Sequence, residues 1–272
     1  DTVPGDPHLR VLTIEDGISK KTVVSGAPNV QNGLLVPYAR VGAKLPGLSE
    51  PVSTRKFGNI ESEGVCCSER ELGLTDDHEG LMVLDAEVLA VGTDLWQALE
   101  LEDTTLSFEL TPNRGDCLSV MGIAREVGAL VGSKVRRPEI HLAEVGEAAD
   151  KLVRVSIADP DGCWRYAGRL VLGGRVRQSP WWLKHRLRSA GLRPINNAVD
   201  VTNFVMMETG QPLHAFDWSK CKSGEVLVNS STGGEEFITL DDKPRKLPEK
   251  TVMITDGGNP LAIGGIMGGQ NS

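Results

Sequence analysis

The chain has no apolar run of about eighteen residues and no basic, apolar and small-residue series of the kind that directs export, so nothing in it calls for a membrane. A cytoplasmic protein is the expectation. It has no CxxC, and its five cysteines (Cys66, Cys67, Cys117, Cys163, Cys221) include an adjacent pair that ordinary disulfide geometry does not bridge. Buried thiols are expected, with no metal site. No lysine follows the glycine-rich "IGGIMGGQ", which excludes a phosphate loop of the usual spacing. No nucleophile elbow or Ser/His/Asp pattern marks a free-standing small-molecule hydrolase.

Charge is also missing where it is least expected. From Phe57 to Asn113 there are fourteen acidic residues and one base, Arg70; from Arg165 to Ile195 there are eight bases and no acid. An RNA would be drawn to the second stretch and repelled by the first, more than the net charge of -8 suggests. A solvated basic face without a partner is the competing reading.

With 272 residues, 40 % of them hydrophobic, the chain can bury two or three cores. Short alternating runs between Gly, Pro, Asn and Asp ("LRVLTIEDG", "KTVVSGAPN", "GLLVPYARVGAKLPG", "EGVCCS", "GLMVLD") predict a small β-barrel over about residues 1–95. The period then changes. "GDCLSVMGIAREVGALVG" predicts a helix capped by Asp116 and closed by Gly132, with Leu118, Met121, Ala124, Val127, Leu130 and Val131 on its apolar face. A charged linker runs from Glu144 to Lys151. "LVRVSIADP" and "RYAGRLVLGGRV" read as strands. "SPWWLKHRLRSAG" reads as a helix capped by Ser179 with Leu183, Leu187 and Ala190 inward. A further helix starts near Asn197 and ends at Gly210, and "GEVLVNSS", "EEFITLDD" and "TVMITDGG" are strand-like. The fold class is therefore multidomain: a β-barrel module resembling an OB-fold, then an α+β domain with helices and mixed or antiparallel strands.

Four motifs carry a resemblance. "SGAPNVQNGLLVPYARVGAKLPG", "SEGVCCSERELGL", "FELTPNRGDCLSVMGIAREVGAL" and "VDVTNFVMMETGQPLHAFD", in this order and spacing, resemble the beta subunit of bacterial phenylalanyl-tRNA synthetase. The resemblance covers essentially the whole chain. It implies a tRNA-binding OB-fold-like module over 1–97 whose first strand is missing, part of the N-terminal domain over 98–145, and the front half of an editing domain over 150–272. It further implies an enzyme of two alpha and two beta subunits. The alpha subunit would use ATP and Mg to activate phenylalanine, with no cofactor on this chain. The beta subunit would contact phenylalanine tRNA and hydrolyse tyrosine misattached to it. The family's later pocket residues, a glutamate and a threonine, would lie beyond Ser272. Asp1 in place of Met and the stop after "GGQNS" carry the expectation that both ends are cut from a longer protein.

The segment "VDVTNFVMMETGQPLHAFD" is apolar yet holds polar groups that must find partners or face a ligand. By the resemblance, Thr202 and Asn203 line the editing pocket, Gly264 and Gly265 form its wall, and His214 orients water or the terminal ribose, its neutral imidazole able to accept a proton. Taken alone, His214 beside Pro212 is a bonded turn residue, and the glycines are a tight turn. Asp200 is expected to be structural. Lys184, Arg186 and Arg188 are the candidate RNA contacts. Weak tRNA contact is expected from residues 1–95, which offer only Tyr38 and Phe57 for stacking. Asn113, Arg114 and Asp116 read as a turn and cap bracing the domain, with an RNA contact by Arg114 as the alternative. The competing function is a non-catalytic module for RNA docking and subunit assembly.

Overall fold

The computed structural model describes residues 1–75, 78 and 80–270. They form two compact units, Asp1–Thr104 and Thr105–Ser272, each with its own sheets. The protein is multidomain, with mixed sheets and few helices.

In the first unit β1 (Thr2–Val3), β2 (Asp6–Glu15) and β3 (Lys20–Ser25) make an antiparallel sheet. The β2–β3 turn is set by Asp16, whose carboxylate accepts the N–H groups of Ile18 (2.9 Å) and Ser19 (2.8 Å), and by Gly17 at φ 84°. Those bonds hold the Asp16 carboxyl below the usual carboxylate range. The resulting register points Val23 into a core with Cys66 and Leu81. β4 (Tyr38–Ala39) pairs with β7 (Val65–Cys66), and β5 (Arg55–Phe57) with β6 (Ile60–Ser62), a hairpin the sequence pattern did not announce. "GLMVLD" yields only a bridge between Leu35 and Leu84. Among the described residues no barrel closes. Pro28, Gly33, Pro37, Gly42, Pro46, Gly47 and Pro51 interrupt the middle of the unit, and strands there stop after two or three residues. A short helix, α1 (Leu95–Ala98), is capped by Asp94.

The second unit is built on a five-stranded sheet. β8 (Arg154–Ile157) lies parallel to β9 (Glu225–Ser230); β12 (Val252–Asp256), β13 (Asn259–Ile263) and β14 (Met267–Gly268) continue it antiparallel. The small hairpin β10 (Glu236–Ile238) and β11 (Pro244–Lys246) precedes β12. β12 is buried on both faces, which explains its unbroken "VMIT". Ile254 joins Val228 and Ala262 in one cluster, while Met253 joins Phe237, Leu247 and Ile263 in the other. Asp256, at the end of β12, accepts the N–H groups of Lys222 (2.8 Å) and Ser223 (3.0 Å), so its buried carboxylate fixes the turn into β9.

Three helices complete the unit. α2 (Val120–Val131) ends at Gly132 with φ 67°, as the sequence predicts, but Ser119 caps it: its Oγ accepts the N–H of Gly122 at 2.9 Å. Asp116 is one turn too early and is bound to Arg114 instead. The apolar face predicted for α2 is largely exposed, at Leu118, Val127, Leu130 and Val131. α3 (Trp181–Ser189) is preceded by Pro180, not capped by Ser179. Its Leu183 and Leu187, each 1 % exposed, contribute about 2 kcal/mol apiece by burial, whereas Ala190 is exposed. α4 (Asn197–Thr209) is capped by Asn196 and closed by Gly210 at φ 79°. It meets α3 through Trp182 and Phe204, edge to face at 5.5 Å. Residues 165–176, expected as a strand, join no ladder. Among the described residues no helix is long and apolar enough to cross a membrane.

Candidate functional site

Asp200 and the two polar residues after it share one helix and behave differently. The Asp200 carboxyl, 0 % exposed, accepts the Ser179 hydroxyl at 2.5 Å and the Ile195 N–H at 2.8 Å. It ties the start of α3 to α4 and has the structural role expected of it. Ser179 is spent on this bond, which is why it does not cap α3. Thr202 donates its hydroxyl to the Val199 carbonyl of its own helix at 2.7 Å. Asn203 is half-buried, and its amide has no hydrogen-bond partner among the described residues.

Gly210 turns the chain out of α4, and four residues later His214 lies against β14. A Cβ on Gly268 would come within 2.5 Å of His214 Cε1 and 2.8 Å of its Nε2, so the strand accepts the imidazole only because it carries a glycine there. Phe216 supports the ring at 4.6 Å between centroids, tilted by 56°. The residue is exposed at its edge, yet the loss of water around the ring lowers its pKa below the usual histidine value. The neutral imidazole is thus the form present near neutral pH. It makes no hydrogen bond to the described residues and remains available as acceptor or donor.

The hairpin turn between β13 and β14 carries Gly264 and Gly265. Gly264 donates its N–H to the Val252 carbonyl at 2.8 Å and leaves no room for a Cβ beside Val252; Gly265 turns at φ 70° into open space. With that N–H committed, the turn does not fit the backbone cradle of a phosphate group. An apolar cleft of about 690 Å³ borders the same turn, lined by Leu247, Pro248, Thr251, Ile263, Ile266 and Met267 among others. The structure therefore seats His214 on Gly268 of β14 rather than on Gly264 or Gly265. Among the described residues no hydrogen bond or ring contact joins Thr202 or Asn203 to His214. Gly268, the seat of the imidazole, was missed by sequence reasoning; its signal was the second glycine pair of "IGGIMGG".

The basic candidates sit on α3. Lys184 Nζ and Arg188 Cζ each lie 5.8 Å from the centre of the Trp181 ring, and His185 stacks on the same ring at 5.7 Å. Arg186 is exposed but engaged within the chain. Arg114 holds Asp116 through two bonds (3.0 and 2.9 Å) and Glu126 at 2.8 Å, a bracing role. The guanidinium pulls the Asp116 pKa down to about 2. Asp116, Cys117 and Glu126 could surround a metal only by displacing that guanidinium. Four of the five thiols are buried as expected, whereas Cys163 is only partly covered; loss of water pushes Cys66 up to about 11 and Cys67 to about 12, so both stay protonated.

Residues 1–93 match a family model described as "Putative tRNA binding domain", and residues 162–272 match the "B3/4 domain". The chain is 46 % identical over 269 residues to the phenylalanine–tRNA ligase beta subunit of Syntrophus aciditrophicus, covering 99 % of the chain and 33 % of that relative. The chain belongs to the phenylalanine–tRNA ligase beta subunit family. The beta subunits of Anaeromyxobacter dehalogenans (46 % identical, 99 % of the chain and 34 % of the relative) and Moorella thermoacetica (43 %, 98 % and 34 %) give the same result. The chain thus spans about one third of the length of the beta subunits it matches.

Proposed function

We propose that this chain is the part of a phenylalanine–tRNA ligase beta subunit that binds tRNA and removes tyrosine misattached to phenylalanine tRNA. In this reading residues 1–97 are the OB-like tRNA-binding module, 98–145 belong to the N-terminal domain, and 150–272 form the front half of the editing domain. The alpha subunit, paired with beta in a cytoplasmic heterotetramer, activates phenylalanine with ATP and Mg. The beta-subunit identity of the relatives and the two matched domains support this assignment.

The observation that carries the editing reading is the imidazole of His214 seated on Gly268 beside the glycine hairpin. Editing is hydrolysis of an ester. Water adds to the tyrosyl carbonyl carbon, the bond to the ribose oxygen breaks, and that oxygen takes a proton as free tyrosine leaves. Neutral His214 would accept the proton from the attacking water and return it to the ribose oxygen. Gly264 and Gly265 keep the wall close to the ester, while Thr202 and Asn203 contribute polar lining. A pocket built to bond the phenolic hydroxyl can favour tyrosyl over phenylalanyl ester by roughly 10⁴-fold. The whole enzyme should therefore clear tyrosyl-tRNA at least ~100-fold faster than phenylalanyl-tRNA. Equal, buffer-like rates for both would remove the editing reading.

The second reading, RNA docking and subunit assembly without catalysis, is favoured by the exposed apolar flank of α2. It shares one element with the first: tRNA contact through Lys184, Arg186 and Arg188. Reversing all three to Glu should weaken tRNA binding by the whole enzyme and flatten its dependence on salt. Unchanged affinity with an unchanged salt slope would place the RNA contact elsewhere.

A further inference from the structure

Trp164 is 91 % exposed, yet the chain on both sides of it is fastened. The turn before it is closed by Asp159, whose carboxylate accepts the Gly162 N–H at 3.0 Å and the Ser230 hydroxyl, while its carbonyl accepts the Cys163 N–H at 3.0 Å. Cys163 and Tyr166 then pack on the cluster of Val228, Ile254 and Ala262. With its flanks held in this way, the indole is put into solvent by the backbone. It makes no hydrogen bond and no ring contact among the described residues.

His214 stands on the same face of the sheet. Ile157, Val228, Ile254, Ala262 and Gly268 lie opposite one another on successive strands from β8 to β14, and residues so paired point to one side. Such a row is about 19 Å long at the usual strand spacing. His214 occupies the place of a Gly268 side chain at one end, and Phe216, its ring partner, packs on the same cluster as Cys163 and Tyr166.

We infer that Trp164 is a stacking platform for an unpaired base of the tRNA 3′ end, holding that end so that the ester reaches His214. The inference rests on the editing reading and adds a positioning residue to it. An exposed indole contributes little to folding, whereas a base laid on it takes both faces out of water, and any base can stack. The surrounding charge selects the ligand. Arg165 adjoins the ring, its guanidinium forms no ion pair among the described residues, and it opens the stretch to Ile195 that has eight bases and no acid, so a polyanion is favoured over an apolar peptide. The single strand that carries the ester is the 3′ end of the charged tRNA.

The test uses the whole enzyme and phenylalanine tRNA that carries tyrosine through an amide, which resists hydrolysis, with fluorescent 2-aminopurine at an unpaired 3′ position. Binding should quench the probe with wild type and Trp164→Phe and leave it bright with Trp164→Ala, which should fold normally because the ring is exposed. In single-turnover hydrolysis of tyrosyl-tRNA, Trp164→Ala should raise the half-saturating enzyme concentration about 10-fold and keep the maximal rate, as loss of uniform binding does; Trp164→Phe should restore most of the difference. Equal quenching by wild type and Trp164→Ala would overturn the inference, as would a half-saturating concentration that does not move. A probe left bright by wild type, with the Trp164 emission (wild type minus Trp164→Phe) shielded from acrylamide before tRNA is added, would assign the ring to a protein contact and overturn it as well. The editing reading fails separately: wild type that quenches the probe through Trp164 but leaves tyrosyl-tRNA at the buffer rate keeps the stacking contact and removes the hydrolysis.

Discussion

The joint between α3 and α4 and the strand β14 each hold a polar side chain, Asp200 buried and His214 exposed against Gly268, and they treat it in opposite ways. At the joint, Asp200 is fully buried and receives the Ser179 hydroxyl and the Ile195 N–H. At the strand, His214 is desolvated enough to lower its pKa and receives nothing from the described residues. A polar group enclosed with its partners holds elements together; one seated at a strand edge with its bonding capacity intact is equipped for chemistry. The two lie fourteen positions apart on one motif, so position in the motif does not decide the role. The partners do.

The contrast can be broken by substitution in the whole enzyme. Asp200→Ala, which leaves the buried Ser179 hydroxyl and the Ile195 N–H without their acceptor, should cost about 3 kcal/mol in urea denaturation while the folded enzyme clears tyrosyl-tRNA normally. Loss of hydrolysis without loss of stability would reverse the roles assigned here. Gly268→Ala should push the imidazole off its seat and slow hydrolysis about 10-fold, a change of about 1.4 kcal/mol, with little effect on denaturation midpoint. An unaffected rate would mean that the ring's position is irrelevant. Ser119→Ala, which touches neither Asp200 nor His214, should cost about 1 kcal/mol through loss of the α2 cap and leave hydrolysis unchanged. If Asp116→Ala costs as much and Ser119→Ala nothing, the cap is misassigned.

What the sequence discloses follows from how local its causes are. α2 and α4 are legible because each ends on a glycine in the left-handed region, a requirement set within one turn. β12 is legible because burial on both faces leaves a continuous apolar run. Ser179 misled because its hydroxyl had a better acceptor twenty-one positions away, which no local pattern encodes. Residues 165–176 misled in the other direction: strand propensity is present, but a strand needs a neighbour, and none pairs with it among the described residues. At the candidate site, the family motif pointed to His214 and to Gly264 and Gly265, whereas the contact the imidazole makes is with Gly268. Gly268 was not legible because its importance lies in what stands over it.

The central claim is that His214 is the proton acceptor of an editing site, and its pH dependence tests this most directly. Single-turnover hydrolysis of tyrosyl-tRNA by the whole enzyme should be followed from about pH 5 to about pH 8 for wild type and His214→Ala. Because desolvation lowers the His214 pKa, the neutral base persists through the ordinary histidine range. The wild-type rate should stay level there and fall only at lower pH, as the ring gains its proton. His214→Ala should be about 100-fold slower and lack that inflection, with phenylalanine activation intact. Hydrolysis by His214→Ala at the wild-type rate, or with the same inflection, would contradict the account.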